Sequence, residues 1–258
     1  MLAETHGDIT LLKFDRLSGE GGFVHAVAGK PHNYAPHRGI GCERAMEARR
    51  RVCEILGLPL ERLTAPAQVM AGEVLRIEPH DWGRGREGRS SAIPYVDGLI
   101  CDTPNVPIVL LSADCPLICV YDPDRRAVGA LHAGWQGAVA RAAQNLVAQM
   151  RRNFGSEPAR LLVGISPSAG PCCYEVGEDV RRIAATRLDN AGECVAVRNG
   201  RLTFDLWEAN RSQLVQAGVQ PKNIELAGIC SICDRRFWSH RRDGHDSGRN
   251  AMFVAIKA

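Results

Sequence analysis

No apolar run in the sequence reaches membrane-spanning length, and no leader of the basic, apolar and small-residue kind opens it, so a cytoplasmic protein with no membrane partner is expected. A large charge of either sign is also missing. The 32 basic and 29 acidic side chains leave a net +3, too little for nucleic-acid binding, which demands concentrated positive charge. None of the eight histidines stands two positions from another, and this excludes the paired H-x-H ligands with which multicopper oxidases assemble their copper ions. The ten cysteines are too sparse in 258 residues for a small secreted disulfide scaffold; reduced thiols are expected.

With 45% hydrophobic residues the chain can fill a substantial core, and without repeats or an obvious linker it reads as one domain over residues 1–258. "DITLLKFDRL" alternates as a strand does, followed by a Gly-rich turn and a short strand at residues 23–27. "GCERAMEARRRVCEILGL" has helical apolar spacing and a glycine stop, its arginines reading as the wet face. "QVMAGEVLRIEP" has strand character, and the glycine-rich "HDWGRGREGRSSAIP" reads as a mobile surface loop. Two strong strands, "VPIVLLSAD" and "AVGALHAG", precede a helix across "QGAVARAAQNLVAQMRRNF". The rest gives a strand in "ARLLVGISPSAG", a helix in "GEDVRRIAATRL", a strand and helix in "RLTFDLWEANRSQLVQAGV", and strands in "IELAGICSIC" and "NAMFVAIKA". Strands and helices interleave without a βαβ rhythm, which favours an α+β fold with mixed sheets over a Rossmann or barrel fold.

The chemistry-bearing candidates begin with Cys115 and His132 in "SADCPLICVYDPDRRAVGALHAGWQG". At the ends of adjacent strands they could form a thiolate–imidazole dyad, serve as two ligands of a zinc or copper ion, or be two ordinary buried residues. The glycine after His132 allows another group to approach closely. Cys230 and Cys233 in "CSIC" have the spacing of half a zinc site, but no second C-x-x-C completes four ligands, and Cys172 and Cys173 are neighbours; all four read as structural. "SHRRDGHDSGR" suits an anion, and Asp114 and Glu175 are acid–base candidates.

Three blocks, "SADCPLICVYDPDRRAVGALHAGWQG", "GISPSAGPCCYEVGEDV" and "FWSHRRDGHDSGRNAMF", resemble in order and spacing successive blocks of the laccase-domain family, and the upstream "VDGLICDTPNVPIVL" is similar to the segment leading into its cysteine. Bacterial members have been called polyphenol oxidases, purine nucleoside phosphorylases and peptidoglycan editing factors. The resemblance implies a layered α/β/β/α arrangement, with mixed sheets inside and helices on the outer faces. It also implies a zinc (or copper) ion held by Cys115, His132 and a histidine of a Q-V-H-G segment. That third position falls on Met70 of "QVMAGEV", a thioether that binds zinc poorly beside imidazole, with His80 as an alternative ligand. Gln136 stands where many members have arginine, whereas Arg241, Arg242 and Arg249 keep the family pattern of anion-binding residues.

The activities implied are phosphorolysis of adenosine, inosine or methylthioadenosine, with purine nucleoside and phosphate as small-molecule partners, and deamination of adenosine at a zinc-activated water. Alternatives are copper-dependent polyphenol oxidation, or a catalytically weakened member that binds nucleosides or cell-wall precursors. A monomer or small homo-oligomer is implied.

Overall fold

A computed structural model describes residues 1–36 and 42–258. The chain opens with strands β1 (Leu2–His6), β2 (Ile9–Lys13) and β3 (Phe23–Ala28), then helix α1 (Cys42–Leu56), which Gly57 ends with a left-handed φ of 64°. A long segment carrying the short strand β4 (Val74–Arg76) and three single-turn 3-10 helices (Leu60–Arg62, Pro79–Asp81 and Arg89–Ser91) leads to β5 (Gly98–Cys101) and β6 (Ile108–Ser112). The antiparallel pair β7 (Leu117–Asp122) and β8 (Ala127–His132) follows, turning at the Asp122 side chain, which accepts N–H bonds from Asp124 and Arg125.

Helices α2 (Trp135–Val139) and α3 (Ala142–Phe154) occupy the single helix expected from sequence; Arg141 separates them with a left-handed φ of 58°. Then come β9 (Leu162–Ile165), α4 (Glu178–Arg187), α5 (Ala191–Cys194), the hairpin β10 (Val195–Arg198) and β11 (Arg201–Phe204), and α6 (Leu206–Gln216). The α6 N-terminus is capped by the Asp205 carboxylate, which accepts from the N–H groups of Trp207 and Glu208. β12 (Ile224–Leu226), α7 (His240–Asp243) and β13 (Asn250–Ile256) complete the order.

Two large sheets result. The first runs β1-β2-β3-β13-β6 and is antiparallel throughout; the second runs β12-β9-β7-β8-β5-β4, with parallel pairs only at its two edges. Phe14, Val27, Leu110 and Met252 of the first sheet and its flank meet Leu99, Leu117, Cys119 and Val128 of the second in a core between the sheets. Helix α1 covers the far face of the first through Ala48 and Val52, while α3 and α6 cover the second through Leu146, Met150 and Leu214. The expected α/β/β/α layering is present. Strands buried on both faces need uninterrupted apolar runs, which is why "IVLLS" and "LICVYD" read as they do.

The C-terminal strand β13, expected from "NAMFVAIKA", is central to its sheet, paired on both sides. Two expectations change. β1 was not anticipated, because "LAETH" is exposed throughout and lacks an apolar signal. "PLICVYD" is a strand in its own right: β6 belongs to the first sheet and β7 to the second, so residues 113–116 carry the chain from one sheet to the other.

Candidate functional site

Cys115 lies in that crossover. Its proximity to His132 comes from the β7–β8 register, which sets Leu117 opposite His132, and from a hydrogen bond of 2.9 Å donated by Ala133 N to Pro116 O. The start of one strand thus faces the end of its antiparallel partner. Ser112 Oγ donates to Cys115 O at 2.6 Å and holds the crossover. Gly134 is required by contact: a Cβ there would stand 2.6 Å from Cys115 Sγ.

The second tie is Asp97, a fully buried carboxylate just before β5. His132 N donates to Asp97 O at 3.0 Å, and His132 Nδ1 lies 3.4 Å from Asp97 Oδ1. The same carboxylate accepts N–H bonds from Met70 at 2.7 Å, Ala71 at 2.7 Å and Gly72 at 2.9 Å. Burial pushes the Asp97 carboxyl up, but His132 and the N–H groups of Gly72 and Met70 outweigh it and hold the group below its ordinary range. Burial would likewise discharge His132; the Cys115 sulfur and the Asp97 carboxylate overcome it and raise the imidazolium to about 9.

Met70 lies on the same Asp97 frame, with a left-handed φ of 64° and 47% of its surface exposed. Gln68 anchors this segment as a strand would: its side-chain amide donates to Leu111 O at 2.6 Å and accepts from Leu111 N at 2.9 Å.

Cys115, His132 and Met70 open into a cavity of about 460 Å³ whose other walls carry Arg49, Arg89, Arg249, His240 and His245. Arg49 corrects the expectation that the basic run of α1 is a wet face. Arg44 and Arg50 are exposed, but Arg49 is 1% exposed and donates to the carbonyls of Tyr34, Gly85 and Arg86. Burial draws its guanidinium down to about 10, which leaves it charged at neutral pH. The segment expected as a surface loop is a cavity wall too, with Asp81 buried and Gly85 packed so closely on Ala65 that a Cβ would lie 2.8 Å away.

The remaining sequence candidates separate into wall and frame. Arg249 lines the cavity. Asp114 does not; its carboxylate accepts from Ser231 Oγ at 2.7 Å, Ser239 Oγ at 3.1 Å and Arg241 N at 2.7 Å, tying the crossover to the C-terminal segment. The Arg242 guanidinium is turned inward to the carbonyls of Ser231, Ile232, Asp234 and Phe237 and to Asp243. Arg241 donates to Glu175 O at 2.8 Å and stacks over Tyr174, and the Glu175 carboxylate is exposed beside Arg201. Gln136 and His80 are not among the cavity-lining residues; His80 faces solvent beside Asp81. Sequence reasoning missed Asp97, Arg49 and the cavity positions of His240 and His245. An aspartate followed by glycine at the mouth of an apolar run, in "YVDGLIC", was the available signal for the first.

As a metal site this set is incomplete. Cys115 and His132 offer a sulfur and an imidazole, but the third position is a thioether, and among the described residues no third histidine, cysteine or carboxylate joins them. The donors suit a soft monovalent copper better than a three-ligand catalytic zinc. Among the described residues the gathering of ligand side chains lies elsewhere: the sulfurs of Cys172, Cys173, Cys230 and Cys233 are all within 4.8 Å of one another. The vicinal cysteines, which the sequence did not link to the "CSIC" pair, bring two further sulfurs beside it.

Comparison with known proteins gives a consistent picture. Residues 20–257 match the family model described as multi-copper polyphenol oxidoreductase laccase. The purine nucleoside phosphorylase YlmD of Geobacillus stearothermophilus is 34% identical over 227 residues, covering 86% of this chain and 82% of that protein. The adenosine deaminase RL5 of an unknown prokaryotic organism is 33% identical over 221 residues, 84% of each. The crystal structure of YlmD superposes with a TM-score of 0.90 at 30% identity, covering 99% of both chains.

Proposed function

The chain belongs to the multi-copper polyphenol oxidoreductase laccase family, and from that premise we propose that it is a purine nucleoside phosphorylase whose chemistry is carried by the Cys115–His132 cavity. One observation carries this: a nucleoside-sized cavity whose walls bring together the Cys115–His132 pair and three arginines from separate segments of the chain. Arg49, Arg89 and Arg249 supply positive charge for inorganic phosphate, Arg49 through its field alone because its guanidinium is buried and held by backbone carbonyls. The raised His132 supplies the proton.

The step balances without further reactants. A phosphate oxygen forms a bond to C1′ of the ribose as the bond from C1′ to the purine nitrogen breaks, and the electron pair stays on the base. A proton from His132 neutralises the leaving purine. Nδ1 faces Asp97, so Nε2 is the ring atom that remains for the transfer. Asp97 and Cys115 stabilise the imidazolium beforehand, and Asp97 fixes the ring. With the His132 imidazolium raised to about 9, kcat/KM should fall as the pH rises through that value, the acid form being lost, and a pH–rate profile checks this.

The kinship with RL5 keeps deamination in view as a second reaction. It needs a water made nucleophilic, a task for which a site with Met70 in the third position is poorly equipped. Incubation with adenosine, inosine or methylthioadenosine tests the proposal, following free base, ribose 1-phosphate and ammonia. Base release that depends on phosphate, with an equal yield of sugar phosphate, is expected. Ammonia release without base release, or nucleoside binding by thermal shift with no turnover, would overturn phosphorolysis.

A further inference from the structure

The four clustered cysteines come from two turns. Cys172 and Cys173 follow β9, and Cys230 and Cys233 follow β12. The two strands run parallel and in register, Ile224 opposite Val163, and the alignment continues past their ends: Ser168 N donates to Ile229 O at 3.1 Å and Ser231 N to Ser168 O at 2.9 Å. Two sequence-distant turns therefore close at one place.

Adjacent cysteines seldom share an ion because successive side chains along extended backbone diverge. Here the chain is tightly folded instead, with the N–H groups of Cys173 and Tyr174 both donating to Gly170 O at 3.0 Å. Both sulfurs consequently face the same partner: Cys172 Sγ is 3.8 Å and Cys173 Sγ 3.2 Å from Cys233 Sγ. Sulfurs arranged tetrahedrally around zinc at about 2.3 Å stand about 3.8 Å apart, and a disulfide would need them at about 2.05 Å. The cluster is spaced for an ion.

The backbone is arranged for a thiolate as well. Cys230 Sγ accepts the N–H of Gly170 at 3.3 Å. Cys230 is buried, while Cys172 and Cys233 are exposed, so the cluster has a shielded floor and an open rim through which an ion can enter.

We propose that Cys172, Cys173, Cys230 and Cys233 form a tetrathiolate zinc site, separate from the Cys115–His132 cavity, that staples the turn after β9 to the turn after β12. The segment beyond the staple is joined to the cavity frame: Ser231 bonds Asp114, and Arg242 donates to the carbonyls of Ser231, Ile232 and Asp234. The ion would hold in place the stretch leading to His240 and His245. This site stands whether or not the cavity is a nucleoside phosphorylase.

The test is elemental analysis of full-length protein purified under reducing conditions and reconstituted with zinc, then desalted. About one tightly held zinc per chain is expected in the wild type and in Cys115→Ala, falling about tenfold in Cys172→Ser and in Cys230→Ser. Since Cys230→Ser replaces a buried residue, cobalt reconstitution of the unaltered chain and of Cys115→Ala gives an independent measurement, with intense thiolate-to-metal charge transfer and tetrahedral d–d bands expected. Zinc retained in Cys172→Ser, iron in place of zinc, absence of the cobalt bands, or an intact mass two hydrogens lighter with no metal bound would each overturn the proposal.

Discussion

The protein has two sulfur centres, and they are opposites. The cavity at Cys115 carries the family motifs, a buried orienting carboxylate and a charged wall, yet its ligand set is one imidazole short. The cluster at Cys172, Cys173, Cys230 and Cys233 has four sulfurs within reach of a single ion and no cavity chemistry around it. A catalytic site must keep a position open and a proton mobile, whereas a structural metal site closes its coordination with protein ligands. The difference teaches that cysteine identity says little here, and that the surroundings of each sulfur decide its use.

The sharpest way to separate the two centres is Cys115→Ala. Phosphorolysis should fall by roughly a hundredfold or more, with the zinc content of the tetracysteine site unchanged; steady-state kinetics and elemental analysis on the same sample check both. Loss of the metal together with the activity would show that the centres are not independent.

Asp97→Asn comes next, because one carboxylate holds both His132 and the Met70 segment. Activity should drop by about tenfold to a hundredfold, and stability by about 3 kcal/mol, as expected when one partner of a buried charged network is removed. The pH sign follows from the depressed Asp97: its contribution is complete above the ordinary aspartate value of 3.8 and is lost as the pH falls below that value through the folded titration. Denaturant unfolding across the acid range should show this loss in the wild type and a flatter profile in the variant.

Met70→His adds the missing imidazole to the cavity. Zinc affinity there should rise by about tenfold or more, bringing the chain from one bound zinc towards two, as competition with a chromogenic chelator would report. No second zinc in this variant would mean that the Asp97-held segment does not bring position 70 within reach of the pair.

The smallest effect belongs to the staple. Cys233→Ser should lower the melting temperature by about 5 °C, the size expected for about 2 kcal/mol in a chain of this length. A strong chelator should produce the same shift in the wild type and none in the variant. A chelator-insensitive wild type would erase the distinction between the two centres.

Legibility varied with how local each feature is. The α1 helix and its glycine stop follow from nearest-neighbour physics and were readable, as was the alternation of β2. β7 was obscured because its apolar run follows another apolar strand, and only the change of sheet separates them. Arg49 looked like its neighbours Arg50 and Arg51; helix rotation turns one of the three to the interior, where carbonyls of the 80–94 segment receive it.

By itself the sequence determined the composition of the core, the α+β pattern, the weak overall charge and the placing of Cys115 and His132 in one recognisable block. Tertiary structure alone decided what surrounds them. Asp97 reaches His132 and Met70 only because β5 pairs with β8, and Cys173 meets Cys233, sixty positions away, only because β9 and β12 run parallel. Register between distant strands is set by packing and backbone hydrogen bonding over the whole sheet, and no local stretch of sequence contains that information.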